Sequence, residues 1–222
     1  MVTRGPALLA AIVCFQVVAP ACVAEDPVGK VSANVYASPA EVFDVYRHSL
    51  ARRKWQATFV CLTPESRKLV ILDSFIQSQV QGGPRVEALL KKYNVAPADV
   101  DAEYERRLRA RQAALGNAPV AREANAGPDF DLYSQILDER VADKAEFFAA
   151  LNELINGPDE LKLGALKRVE AKDDQATGHA VVPIVHIEKV TAGGPEVRKE
   201  TWERKTFHFR KLQGGWLIEL EQ

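Results

Sequence analysis

The chain has 222 residues, 47% hydrophobic and 27% charged, proportions of a globular protein that exclude a collagenous chain, a disulfide scaffold and a wholly disordered chain. Lysine plus arginine number 29 and aspartate plus glutamate 30, so the net charge of -1 gives no bulk attraction to nucleic acid or acidic lipid. The length fits one domain, or one domain with a large insertion.

The first residues read as a secretory leader. Arg4 is the one charge near the start, and Ala7 to Ala19 is apolar apart from Gln16. That span is 13 residues, too short to cross a hydrocarbon core of about 30 Å as a helix. Small side chains before Glu25-Asp26-Pro27 place cleavage after Ala24, giving a signal peptide over 1–24 and export to the periplasm or beyond the cell. Ala19-Pro20-Ala21-Cys22 supplies an alternative, since it loosely resembles a bacterial lipobox in which Cys22 would be lipidated. Contact with a membrane is expected only in that case. Cleavage after Ala24 removes Cys14 and Cys22 and leaves Cys61, which excludes an internal disulfide or thiolate cluster. Cys61 lies between Val60 and Leu62 and reads as a buried, inert thiol.

A polar lead-in over 25–37 precedes Ser38-Pro39-Ala40-Glu41, a capping box with proline at the first helical position. Val42, Phe43, Tyr46 and Leu50 follow at helical spacing, and Arg52-Arg53-Lys54 closes the helix. A short second helix carries Trp55, Phe59, Val60 and Leu62. Thr63-Pro64 starts a third, whose broad apolar face holds Leu69, Val70, Leu72, Phe75, Ile76 and Val80 before Gln81-Gly82-Gly83-Pro84 ends it. Helical patterns over Arg85–Tyr93 and from Pro97 towards Leu115 come next. The second of these has a narrow stripe of Val100, Tyr104 and Leu108, with Glu103 and Glu105 each four residues before an arginine. A loop over 116–128 leads to a helix from Asp129 to Val141 and another capped by Asp143, stopped at Gly157-Pro158. From Leu161 the period changes. Strands are predicted over 163–171, 177–190, 197–212 and 216–220, with Pro183 marking an edge or bulge and Gln213-Gly214-Gly215 a tight turn.

Helices first and an antiparallel meander last is an α+β pattern. The expectation is a single α+β domain over 38–222: N-terminal helices packed on a curved C-terminal antiparallel sheet over 161–222, with an extra helical insertion over 85–157.

The run from Ser38-Pro39-Ala40-Glu41 through Val42-Phe43, Tyr46, Lys54-Trp55 and Cys61-Leu62-Thr63-Pro64-Glu65-Ser66 resembles the start of secreted bacterial members of the nuclear transport factor 2-like superfamily. Phe207-His208-Phe209-Arg210-Lys211, the Gly214-Gly215 turn and Trp216-Leu217-Ile218 are similar to that family's closing hairpin. The resemblance implies the cystatin-like cone, in which three helices sit in the concavity of a curved sheet. The helices over 85–157 exceed what that fold needs, and the family's early strand is not evident. The family includes isomerases, dehydratases and adaptor domains, so the resemblance implies no single function.

No pair of the four histidines (His48, His179, His186 and His208) has the spacing of a helical metal site, so no metal and no cofactor is expected. His208 alternates with Phe207 and Phe209 and should face solvent if they are core. There is no nucleophile elbow, phosphate loop or dinucleotide fingerprint. Within a cone, Tyr46, Trp55 and Phe59 are the pocket candidates from the helices, and His186 and Trp202 those from the sheet. These expectations favour an exported, non-enzymatic module that binds a small apolar ligand or a protein partner, and not nucleic acid. Two alternatives stand beside it. One is an isomerase- or dehydratase-like enzyme acting in the cone, which a cone filled by Trp55, Phe59 and Trp216 would count against. The other is a structural module that forms a homodimer through its sheet face.

Overall fold

The computed structural model describes residues 35–114, 129–156, 162–189 and 196–220, with only the backbone described for 185–189 and 196–200. The leader with Cys22, the lead-in before Val35, the loops over 116–128 and 191–195 and the Gly157-Pro158 stop lie outside the described residues. The fold is α+β, with α1 (Pro39–Ala51), α2 (Trp55–Val60), α3 (Pro64–Gln81), α4 (Pro84–Lys92), α5 (Pro97–Ala114), α6 (Phe130–Arg140) and α7 (Lys144–Ile155) preceding the strands. The strands β1 (Lys167–Lys172), β2 (Gln175–Lys189), β3 (Glu196–Leu212) and β4 (Gly215–Glu219) form one antiparallel sheet in the order β1-β2-β3-β4. Two compact units result. One gathers α1, α2 and the sheet, and the other spans Pro64–Ile155.

In the sheet unit α1 starts where the capping box places it. Ser38 Oγ accepts from the Glu41 N–H at 3.2 Å, while the Glu41 carboxylate reaches back to the Ala37 N–H at 2.7 Å. The inward face of α1 presents Val42 and Phe43, both fully buried, and the Phe43 ring meets the edge of Phe207 at 4.8 Å. Across the sheet, Ala171, Ala176, Phe209 and Ile218 pair in one row. Ala176, Phe209 and Ile218 of that row are buried. The small residues let the helix approach closely. Gly178 makes room for Leu166, just before β1, since a Cβ there would lie 2.8 Å from Leu166 Cδ1.

The first strand begins later than the sequence pattern suggests, at Lys167 rather than 163. Gly164 does run beside β2, its N–H donating to the Val181 carbonyl at 2.8 Å. The register then shifts between Lys167 and Glu170, where Arg168 takes φ 54°, and this bulge bends the edge of the sheet. Pro183 lies beyond the β1 pairing, which ends at His179, so its missing N–H falls where β2 has no strand on that side.

The helical unit begins at α3. The insertion expected from residue 85 therefore starts earlier, because α3 packs against α6 and α7. Ile71, Leu72 and Phe75 of α3 are buried in this unit, with Leu132, Ile136 and Leu137 of α6 and Phe147, Phe148 and Leu151 of α7. A buried polar link sits in that packing: Asn152 Nδ2 donates to Ser74 Oγ at 3.1 Å and to the Phe148 carbonyl at 2.9 Å. Asn94 closes α4 in the left-handed region at φ 59°, and Asp143 Oδ1 accepts from the Glu146 N–H to start α7.

Phe43 joins helix to sheet with no exposed surface to lose. Phe43→Ala should lower the stability of the sheet unit by about 3–5 kcal/mol. Denaturant unfolding followed by tryptophan emission measures this, since Trp55 and Trp216 are buried in the same unit.

Candidate functional site

The interior of the sheet unit is filled by its own side chains. Trp55 and Phe59 of α2 are 5% and 4% exposed, and Trp216 of β4 is 7% exposed. Tyr46 of α1 is half-buried beside Phe43, with ring centroids 6.4 Å apart. Burial, and secondarily the charge of Cys61, pushes its phenol up to about 12. The Cys61 thiol is fully buried, 3.5 Å from the Tyr36 hydroxyl and 3.2 Å from the Ala57 carbonyl oxygen that accepts from it.

Of the two sheet candidates, Trp202 does not join this group. Trp202 is 52% exposed. The continuous β2–β3 register places it opposite Pro183, an odd number of residues from Phe207, and so on the other face. His186 pairs with Lys199 in the ladder, and its side chain lies outside the described residues. His208 does alternate with the phenylalanines, in a polar row with Glu170, Thr177 and Glu219. It is half-buried and lines an open depression of about 540 Å³. Glu219 in that row is taken up by Arg210 at 2.7 Å. Among the described residues, no group of three or more His, Cys, Asp or Glu side chains could hold a metal ion.

An apolar concavity lies in the helical unit. A groove of about 460 Å³ is lined by Leu72, Phe75, Ile76, Gln79 and Val80 of α3, Asp101 of α5, and Phe130 and Tyr133 of α6. Leu72 and Phe75 are its buried floor, at 7% and 1% exposure. Its walls carry Ile76, Val80 and Phe130 at 38%, 84% and 53% exposure. At the polar end the Tyr133 hydroxyl donates to Asp101 Oδ1 at 2.8 Å, and its ring stacks on Tyr104 at 4.3 Å. Burial and then this bond to Asp101 push the Tyr133 phenol up to about 12.

The sequence reading did not single out this groove, although its signal is in α3. Eight residues separate Leu72 from Val80 along the Leu72, Ile76, Val80 line, and Phe75 faces about 100° away from Ile76. An apolar face that wide exceeds what one buried stripe uses. Among the described residues, no helix is long and apolar enough to cross a membrane. Comparison of the chain with protein-family models, curated proteins and solved structures finds no match.

Tyr46 and Tyr133 should ionise late, near pH 12, in an absorbance titration of the folded chain at 295 nm. Tyr133→Phe should remove one of these late transitions. Both phenols are raised above the ordinary value of about 10. Their contribution to stability is therefore present below pH 10 and is lost as pH rises from 10 to 12, where the unfolded chain ionises first.

Proposed function

We propose that this chain is an exported, non-enzymatic binding protein that takes an apolar ligand or partner in the groove of its helical unit. The observation that carries the reading is the exposure of Val80 and Phe130 on either side of a buried apolar floor. Contiguous exposed apolar surface around a concavity marks an interaction site. The groove volume also falls in the range of ligand pockets, roughly 300–1,000 Å³. Burying side chains of this size stabilises a complex by roughly 1.5–3 kcal/mol each before ordering costs.

The filled interior of the sheet unit supports the non-enzymatic part. An acid–base centre works best with a group that titrates near the operating pH. The phenol of Tyr46 stands at about 12 instead, beside packed Trp55 and Phe59. We further propose that this unit is a reduced cone of the nuclear transport factor 2-like kind. The capped α1, the Phe43–Phe207 contact and the Gln213-Gly214 turn at φ 50° and 87° support that kinship. The kinship is partial, since α3 groups with the helical unit and leaves two helices on the sheet. Export rests on the apolar leader and the small residues before Glu25.

The test uses N-phenyl-1-naphthylamine, a neutral apolar dye, with the full chain from which residues 1–24 have been removed. Saturable fluorescence enhancement is expected, weakened about tenfold or more in Val80→Ser/Phe130→Ser with an unchanged unfolding midpoint. Enhancement that the double variant leaves untouched contradicts the groove as the site.

A further inference from the structure

The charges on α5 are divided between two faces. On one, Glu103 accepts from Arg106 at 2.7 Å and from Arg107 at 2.6 Å, and Arg107 also donates to Glu139 at 3.0 Å. The guanidinium pair beside Glu103 holds its carboxyl down at about 2, so this face is internally neutralised. The other face, towards Tyr133, carries Asp101 and, one turn on, Glu105. Neither carboxylate forms an ion pair among the described residues, and the expected Glu105–Arg109 pair is not formed there. Among the described residues, Asp101 is the one charged side chain lining the groove. The local field reports the same sign: Asp101 and Glu105 both act to keep the Tyr133 phenol protonated. A cation at this end of the groove meets attraction that, among the described residues, no lysine or arginine lining it already satisfies.

The shape narrows the occupant. Leu72, Ile76 and Val80 follow one another at four-residue spacing along α3, a line of about 12 Å, or two helical turns. Phe130 lines the same groove from α6. That outline suits side chains presented at i, i+4 and i+7 by a helical segment. We propose that the groove docks an apolar helical segment of a partner protein carrying a basic side chain, which pairs with Asp101. This rests on the groove being the binding site, as proposed above. The charge pair would add register and orientation to contacts that are otherwise apolar.

The experiment uses three fluorescently labelled synthetic helical peptides with the same leucine and phenylalanine stripe. They differ in carrying lysine, glutamine or glutamate at the positions flanking it. Anisotropy titrations against the full chain without residues 1–24 should rank them lysine, glutamine, glutamate, with lysine about fivefold tighter than glutamine. In Asp101→Asn the lysine and glutamine peptides should bind alike, because the amide oxygen still accepts from Tyr133 while the charge is gone. Val80→Ser/Phe130→Ser should weaken all three. Equal binding of the lysine and glutamine peptides to the unaltered chain overturns the charge pairing and leaves the groove standing. Binding of none of the peptides, or binding indifferent to Val80→Ser/Phe130→Ser, overturns both.

Discussion

The sheet unit depends on a short stretch of backbone pairing at Ile218. The Ile218 N–H donates to the Cys61 carbonyl at 2.9 Å, and the Thr63 N–H donates to the Ile218 carbonyl at 2.9 Å. Leu62 thereby bridges Ile218 in parallel fashion. The Trp216 N–H completes the set by donating to the Tyr36 carbonyl at 3.0 Å. These bonds occupy the outer edge of β4, which would otherwise expose unpaired donors and acceptors. Leu62 and Ile218 are fully buried, so loss of the bonds would strand polar groups away from water. Gly215 permits the approach, because a Cβ there would stand 3.1 Å from Val35 Cα.

This closure has a consequence for the chain as a whole. It joins residues near the start of the described chain to its last strand, and Pro64–Ile155 lies between the two halves in sequence. The sheet unit can therefore close on itself whatever the intervening helices carry. Its largest inward side chains are taken up by that closure, Phe43 by Phe207 and Trp55, Phe59 and Trp216 in the buried interior, while Val35, Val169, Val181 and Trp202 stay exposed. The helical unit builds a separate core around α3, α6 and α7 and leaves Ile76, Val80 and Phe130 over. Exposed apolar side chains remain in both units, and those of the helical unit gather around a concavity with an apolar floor.

Most of the helices were legible in the sequence because they carry local punctuation. Ser38, Asp129 and Asp143 cap helices as their side chains suggest, and Gly82-Gly83-Pro84 and Asn94 end them. The strands from β2 onward were legible from their β-branched runs and from the Gln213-Gly214 turn. The start of β1 was not, since the bulge at Arg168 depends on pairing with a distant strand and has no local signal. Trp202 was misassigned as a pocket residue for a simpler reason: its odd separation from Phe207 puts it on the opposite face, and that parity was readable. The grouping of α3 was not readable, because its apolar residues suit either unit and tertiary contacts decide between them. The groove was half legible. The breadth of the α3 face was visible, but which of its residues stay uncovered is settled by where α6 packs.

The most direct test of the account is a methyl-resolved NMR titration of the chain without its leader, using N-phenyl-1-naphthylamine. The account predicts saturable shifts at the methyls of Leu72, Ile76 and Val80, with those of Leu50, Leu62 and Ile218 unmoved. Shifts centred on Leu62 and Ile218, with the α3 methyls silent, would place an open cavity inside the sheet unit and contradict it.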